Sequence, residues 1–144
     1  MSTYILAFIV CDFDYISAKD AKGRMFRVWA RSEIIPYVDY ALHTSVAILN
    51  YFEDYFNFTY PLSKLDSIAV PGLQTAALEN FGCIVYAEEN LAFDTEDQFI
   101  NNLQFATEVI SHEIAHQVKT LLILFLLDDI LNKFNKFKRC SFLS

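Results

Sequence analysis

Apolar and polar positions along the chain follow two rhythms, one near-continuous or alternating and one spaced by three and four. Residues 2–12, Ser-Thr-Tyr-Ile-Leu-Ala-Phe-Ile-Val-Cys-Asp, are a nearly unbroken run of strand formers and predict a buried strand. Residues 12–23 are polar and read as turn. Residues 26–30, Phe-Arg-Val-Trp-Ala, predict a second strand, with Gly23 supplying the turn before it. Pro36 then opens a long helix, a position where proline is tolerated. Its apolar positions are Ala41, Leu42, Ser45 or Val46, Leu49, Phe52 and Phe56, which gives one buried face. Tyr60-Pro61 ends that segment. Residues 65–70 predict a short strand closed by Pro71-Gly72, and Cys83–Ala87 predicts another. Leu103, Ala106, Val109 or Ile110, and Ile114 return to helical spacing, and Thr95-x-x-Gln98 upstream has the form of a capping box.

Composition narrows the picture. The 144 residues are enough for one modest domain with a core. A hydrophobic content of 54%, with only three glycines and three prolines, argues against disorder. The apolar runs at 2–12 and 121–127 are too short to span a bilayer, so no transmembrane segment is expected in this chain. The first run also lacks the basic start and cleavage site of a secretory signal. The formal net charge of -7 argues against a nucleic-acid partner. That charge is uneven: residues 1–117 hold six Lys/Arg against sixteen Asp/Glu, and residues 118–144 hold five against two. Cys11, Cys83 and Cys140 are odd in number and far apart, which suggests neither a zinc knuckle nor a disulfide framework. Asn57-Phe58-Thr59 is a glycosylation sequon, a common pattern in a stretch that reads as half buried.

The chemistry lies in Ser111-His112-Glu113-Ile114-Ala115-His116-Gln117. Residues four apart stack on one helix face, so His112 and His116 can aim two imidazole nitrogens at one point, within reach of a tetrahedral zinc. Glu113 sits one residue round the helix, where it can take a proton from water on a metal without being a ligand. His-Glu-x-x-His on an amphipathic helix is therefore a peptide-hydrolysis constellation. The plainer alternative is a buried helix with two histidines satisfied by hydrogen bonds. His43 has no metal-binding partner at helical spacing and reads as a surface or capping residue. Glu79, alone in an apolar segment, reads by itself as a solvated turn residue.

Several blocks together resemble the zinc aminopeptidases of the aminopeptidase N family, which are thermolysin-like gluzincins. Met1-Ser2-Thr3-Tyr4 with its apolar strand, Val28-Trp29-Ala30-Arg31, Asp39-Tyr40-Ala41-Leu42, Tyr60-Pro61-Leu62 with Lys64 and Asp66, and His112 to Gln117 occur in the family's order. Ala76-Ala77-Leu78-Glu79-Asn80-Phe81-Gly82 stands where the family carries Gly-Ala-Met-Glu-Asn-Trp-Gly, its exopeptidase signature. The resemblance covers about residues 1–117. It implies an α+β fold: residues 1–30 as terminal strands of a β-rich N-terminal domain, residues 31–117 as the first half of a thermolysin-like metallopeptidase domain, and residues 118–144 as a divergent apolar and basic tail. It implies Zn2+ as cofactor, His112 and His116 as zinc ligands, Glu113 as the catalytic general base, and Glu79 as the group that binds a substrate's α-amino group. The backbone around Ala76 and Ala77 would line the substrate like a neighbouring strand. The partners implied are peptides with a free N-terminus. Members are plasma-membrane ectoenzymes, secreted or cytoplasmic, with a lean here to membrane or extracellular.

The chain departs from the family in two places. Ala76 and Leu78 replace a glycine and a methionine, which bears on affinity and residue preference and leaves the reaction class intact. After Gln117 the pattern stops. The family's third zinc ligand is a glutamate, whose count lands on Asn135; no glutamate follows Glu113, and Asp128 and Asp129 fall at the wrong separation. The family's downstream tyrosine, which stabilises the tetrahedral intermediate, has no counterpart either. Two expectations follow: zinc-dependent aminopeptidase chemistry that is incomplete in this chain, and, in a different class, a truncated or inactive form that acts through binding and associates through exposed apolar faces.

Overall fold

The computed structural model describes residues 7–93, 103–120 and 122–123. Its centre is a five-stranded mixed sheet of β1 (Asp14–Lys19), β2 (Met25–Ala30), β3 (Lys64–Val70), β4 (Ala77–Leu78) and β5 (Cys83–Ala87). The spatial order is β1-β2-β3-β5-β4. β2, β3 and β5 run parallel, while β1 and β4 are antiparallel edge strands. Two parallel neighbours need a crossover, and α1 (Asp39–Phe56) supplies the one between β2 and β3. A second helix, α2 (residues 103–120), carries the His-Glu-x-x-His segment.

Register explains the core. Phe26 pairs with Leu65 and Val28 with Ser67, while Ser67 pairs with Ile84, Ala69 with Tyr86 and Tyr86 with Ala77. Because strand side chains alternate between faces, these residues share one face. Apart from the buried Ser67, they form a single hydrophobic cluster with Ala41, Leu42 and Leu49 of α1 and Ile110, Ile114 and Val118 of α2. Both helices therefore cover the same side of the sheet. The opposite face carries Arg27, whose guanidinium forks onto Asp66 at 2.5 and 2.9 Å, with Lys64 bonding the same carboxylate.

Four expectations change. Residues 7–12 are neither strand nor buried: Phe8 is 90% and Val10 84% exposed, because no neighbouring strand pairs with this segment among the described residues. Residues 1–6 and the suggested capping box at Thr95 and Gln98 lie outside the described residues. Residues 14–19, read as turn, form β1, whose polar alternation suits an edge strand; Tyr15 packs on Trp29 at 4.5 Å between ring centroids. Pro36 opens only a one-turn 3-10 segment, Ile35–Tyr37, and the α-helix begins at Asp39. At the far end of α1, Phe56 is 44% exposed and Glu53 takes the buried position instead.

Glu53 is buried because the β1–β2 turn delivers a cation to it. Asp20 Oδ1 accepts the Lys22 and Arg24 amides and so closes that turn. The Arg24 guanidinium, 5% exposed, then bridges Asp20 (2.7 Å) and Glu53 (2.8 Å). The Tyr60 amide also donates to Glu53. Asn57 ends the helix in the left-handed region at φ 47°, where asparagine is tolerated. The sheet takes strands from both sides of residue 30. Among the described residues no helix is long and apolar enough to cross a membrane.

Candidate active site

The helical spacing in α2 does what the motif requires. Ile110, Ile114 and Val118 are buried against the sheet, which turns His112 and His116 to the other side. Their Nε2 atoms lie 3.0 Å apart and the rings meet edge to face. Two nitrogens bound to one tetrahedral zinc, each at about 2.0–2.1 Å, are about 3.3 Å apart. The pair therefore fits as two ligands of one zinc ion; alternatively, one ring donates its Nε2 proton to the other. No set of three or more His, Cys, Asp or Glu side chains is disposed for a metal among the described residues. Asn135, Asp128 and Asp129 lie outside the described residues.

Glu113 is 7% exposed and its Oε2 has no hydrogen-bond partner. A buried, unsatisfied carboxylate oxygen costs free energy that a purely structural residue would avoid. Burial pushes its carboxyl above the usual range. The neighbouring His112 and His116 oppose that, and Glu79 adds to it. A carboxylate raised in this way is a better proton acceptor than an ordinary one. Tyr86, fully buried, is held protonated far above the usual phenol range by burial first and the Glu113 charge second.

Opposite α2 lies the segment from β4 to β5. Thr75, Ala76, Ala77, Glu79, Glu108, Val109, His112, Glu113 and His116 line one cleft of about 470 Å³. All six residues singled out from the sequence, His112, Glu113, His116, Glu79, Ala76 and Ala77, thus meet across one space. β4 is short and forms the sheet's edge. The Ala76 carbonyl is held from behind by the Ala87 amide and Asn90 Nδ2, both at 3.0 Å. A larger groove of about 680 Å³ lies beside it, lined by Tyr40, Leu103, Gln104, Thr107, Glu108, Ser111 and His112, and holds neither Glu113 nor Glu79. His43 is a surface residue, 3.5 Å from Asp39 on its own helix.

Sequence reasoning missed the group that joins the cleft's two walls. Gln117, 1% exposed, accepts from the Gly82 amide at 2.8 Å and from the Tyr60 hydroxyl at 3.2 Å. Its Nε2 donates to the Glu79 and Asn80 carbonyls at 3.2 and 3.1 Å. The available signal was a glutamine directly after the second histidine, in phase with the buried face of α2.

The His-Glu-x-x-His helix thus faces the β4–β5 edge segment across one cleft. The profile of the Peptidase family M1 domain matches residues 40–119, and the chain belongs to that family. It is 44% identical over 119 residues to aminopeptidase N of Mus musculus and 42% identical over 119 residues to aminopeptidase N of Homo sapiens. It is 41% identical over 117 residues to endoplasmic reticulum aminopeptidase 2 of Bos taurus. Each match covers 81% of this chain and 12% of the relative, so the chain spans about an eighth of the length of these relatives.

Proposed function

We propose that this sequence encodes zinc-dependent removal of N-terminal residues from peptides, built on the first half of a thermolysin-like domain. The observation that carries the reading is the shared cleft, which sets Glu79, Ala76 and Ala77 against His112, Glu113 and His116. His112 and His116 would hold the metal. Zinc, when bound, supplies Lewis-acid polarisation of water and of a peptide carbonyl. Glu113 accepts the proton released from the attacking water and is raised for that task by burial. Glu79 binds the substrate's α-ammonium, which confines cleavage to the first residue, because an internal peptide bond presents no cation there. An extended peptide aligns along the β4 edge at Ala76 and Ala77, as strand addition to an open sheet edge allows.

The test is metal analysis of the purified, dialysed chain beside His116→Ala, followed by hydrolysis of an aminoacyl-anilide and its N-blocked form. About one zinc per chain, lost in the variant, with cleavage of the free-amine substrate alone, is the expected result. Zinc retained equally by the variant, or cleavage of the blocked substrate, overturns the reading. Turnover is expected to be low, because catalytic zinc sites keep about three protein ligands and the family's third position falls on Asn135. A second reading, binding without hydrolysis, draws on exposed aromatics of α1: Tyr51 is 61% and Tyr55 70% exposed. Self-association in sedimentation with no zinc uptake would favour it.

A further inference from the structure

Gln117 sits next to a proposed zinc ligand, yet its side chain faces away from the cleft and is fully buried. An amide oxygen has two lone pairs and an amide nitrogen two protons, and here all four are used. The oxygen takes Gly82 and Tyr60, and the nitrogen serves Glu79 and Asn80. Three separate pieces of chain meet on this one group: α2, the turn between β4 and β5, and the segment after α1. The turn is pinned from its other side as well, since the Gly82 carbonyl accepts the Asp66 amide of β3 at 3.1 Å. Glu79 therefore cannot slide along α2 without breaking a bond to Gln117.

We propose that Gln117 is a positioning residue that sets the separation between the amino-group carboxylate Glu79 and the His112/Glu113/His116 helix, and so determines which peptide end the cleft accepts. The inference rests on the aminopeptidase reading of Glu79 given above. Neither near-isosteric replacement keeps all four bonds. Glutamate keeps the acceptor for Gly82 and Tyr60 but turns a carboxylate toward the Glu79 and Asn80 carbonyls, and methionine offers neither function.

The experiment uses the full chain with two probes, leucine amide and N-acetyl-leucine amide, and reads their affinity ratio by NMR titration. The same samples report amide exchange at Gly82. Wild type prefers the free amine. Gln117→Met and Gln117→Glu each lose about tenfold of that preference, at unchanged circular dichroism. Gly82 exchange accelerates by about tenfold in Gln117→Met and stays near wild type in Gln117→Glu, which keeps the acceptor. A purely structural role would not produce this split between exchange and preference. Glu79→Ala separates the two ideas. If it abolishes the preference while both Gln117 variants hold it within about twofold, the aminopeptidase reading stands and the positioning role is overturned. If Glu79→Ala leaves the preference intact, or wild type shows none, the Glu79 reading falls and the inference falls with it. Should Gln117→Met not fold, Gln117→Glu alone decides on the same ratio.

Discussion

Gly82→Ala separates backbone strain from steric conflict at the turn that carries Glu79. Gly82 has φ +72° and is buried, and a Cβ built there lies 2.6 Å from Leu62 Cδ1. Left-handed backbone costs an alanine about 1–2 kcal/mol. The contact adds to this, because overpacking costs about 1–3 kcal/mol. Leu62 is only half buried and the atom met is the tip of its side chain, so the lower end of that range applies. The expected loss is about 2–3 kcal/mol. The sign is informative, since Gly→Ala at a compatible backbone position stabilises by about 0.4–1 kcal/mol. Urea unfolding of the full chain measures the change, provided the slope of the transition is unaltered. A cycle with Leu62→Ala then isolates the clash. In that background about 1 kcal/mol of the Gly82→Ala cost should vanish and the backbone part should remain. A neutral or stabilising Gly82→Ala would refute the whole argument. An additive cycle would refute the steric part alone.

The Asp20–Arg24–Glu53 network supports two further expectations. Arg24→Ala leaves two buried carboxylates without their shared cation, and unfolding should lose about 3–5 kcal/mol, a value well under 1 kcal/mol contradicting the network's burial. Burial raises the Glu53 carboxyl, but hydrogen bonds from Arg24, Lys22 and the Tyr60 amide outweigh it and hold the group at about 2. A folded-state value below the unfolded one means that stability is present above the unfolded value of 4.5 and is lost as pH falls from there toward about 2. The drop corresponds to roughly 3 kcal/mol at about 1.4 kcal/mol per unit. Urea midpoints at pH 7 and pH 3 should fall apart in wild type and draw together in Glu53→Gln; equal pH sensitivity in the two would sink the assignment.

What the sequence determined by itself was whatever depends on residues near one another in the chain. A spacing of four places His112 and His116 on one helix face in any setting, so the His-Glu-x-x-His wall of the cleft was legible. The strand at Cys83–Ala87 was legible from its run of apolar residues, and the family motifs marked Glu79, Ala76 and Ala77. Tertiary structure decided the features whose cause lies elsewhere in the chain. Residues 14–19 become a strand because β2 offers them a partner, and residues 7–12 do not because none of the described strands does. Glu53 goes inside because Arg24 arrives from a turn 29 positions away, while Phe56 is left 44% exposed. Gln117 looks like one more polar residue until the fold brings Gly82, Tyr60, Glu79 and Asn80 to its four hydrogen-bonding positions. Periodicity reports which face a side chain occupies, but a hydrogen bond between distant segments exists only once the chain has closed on itself.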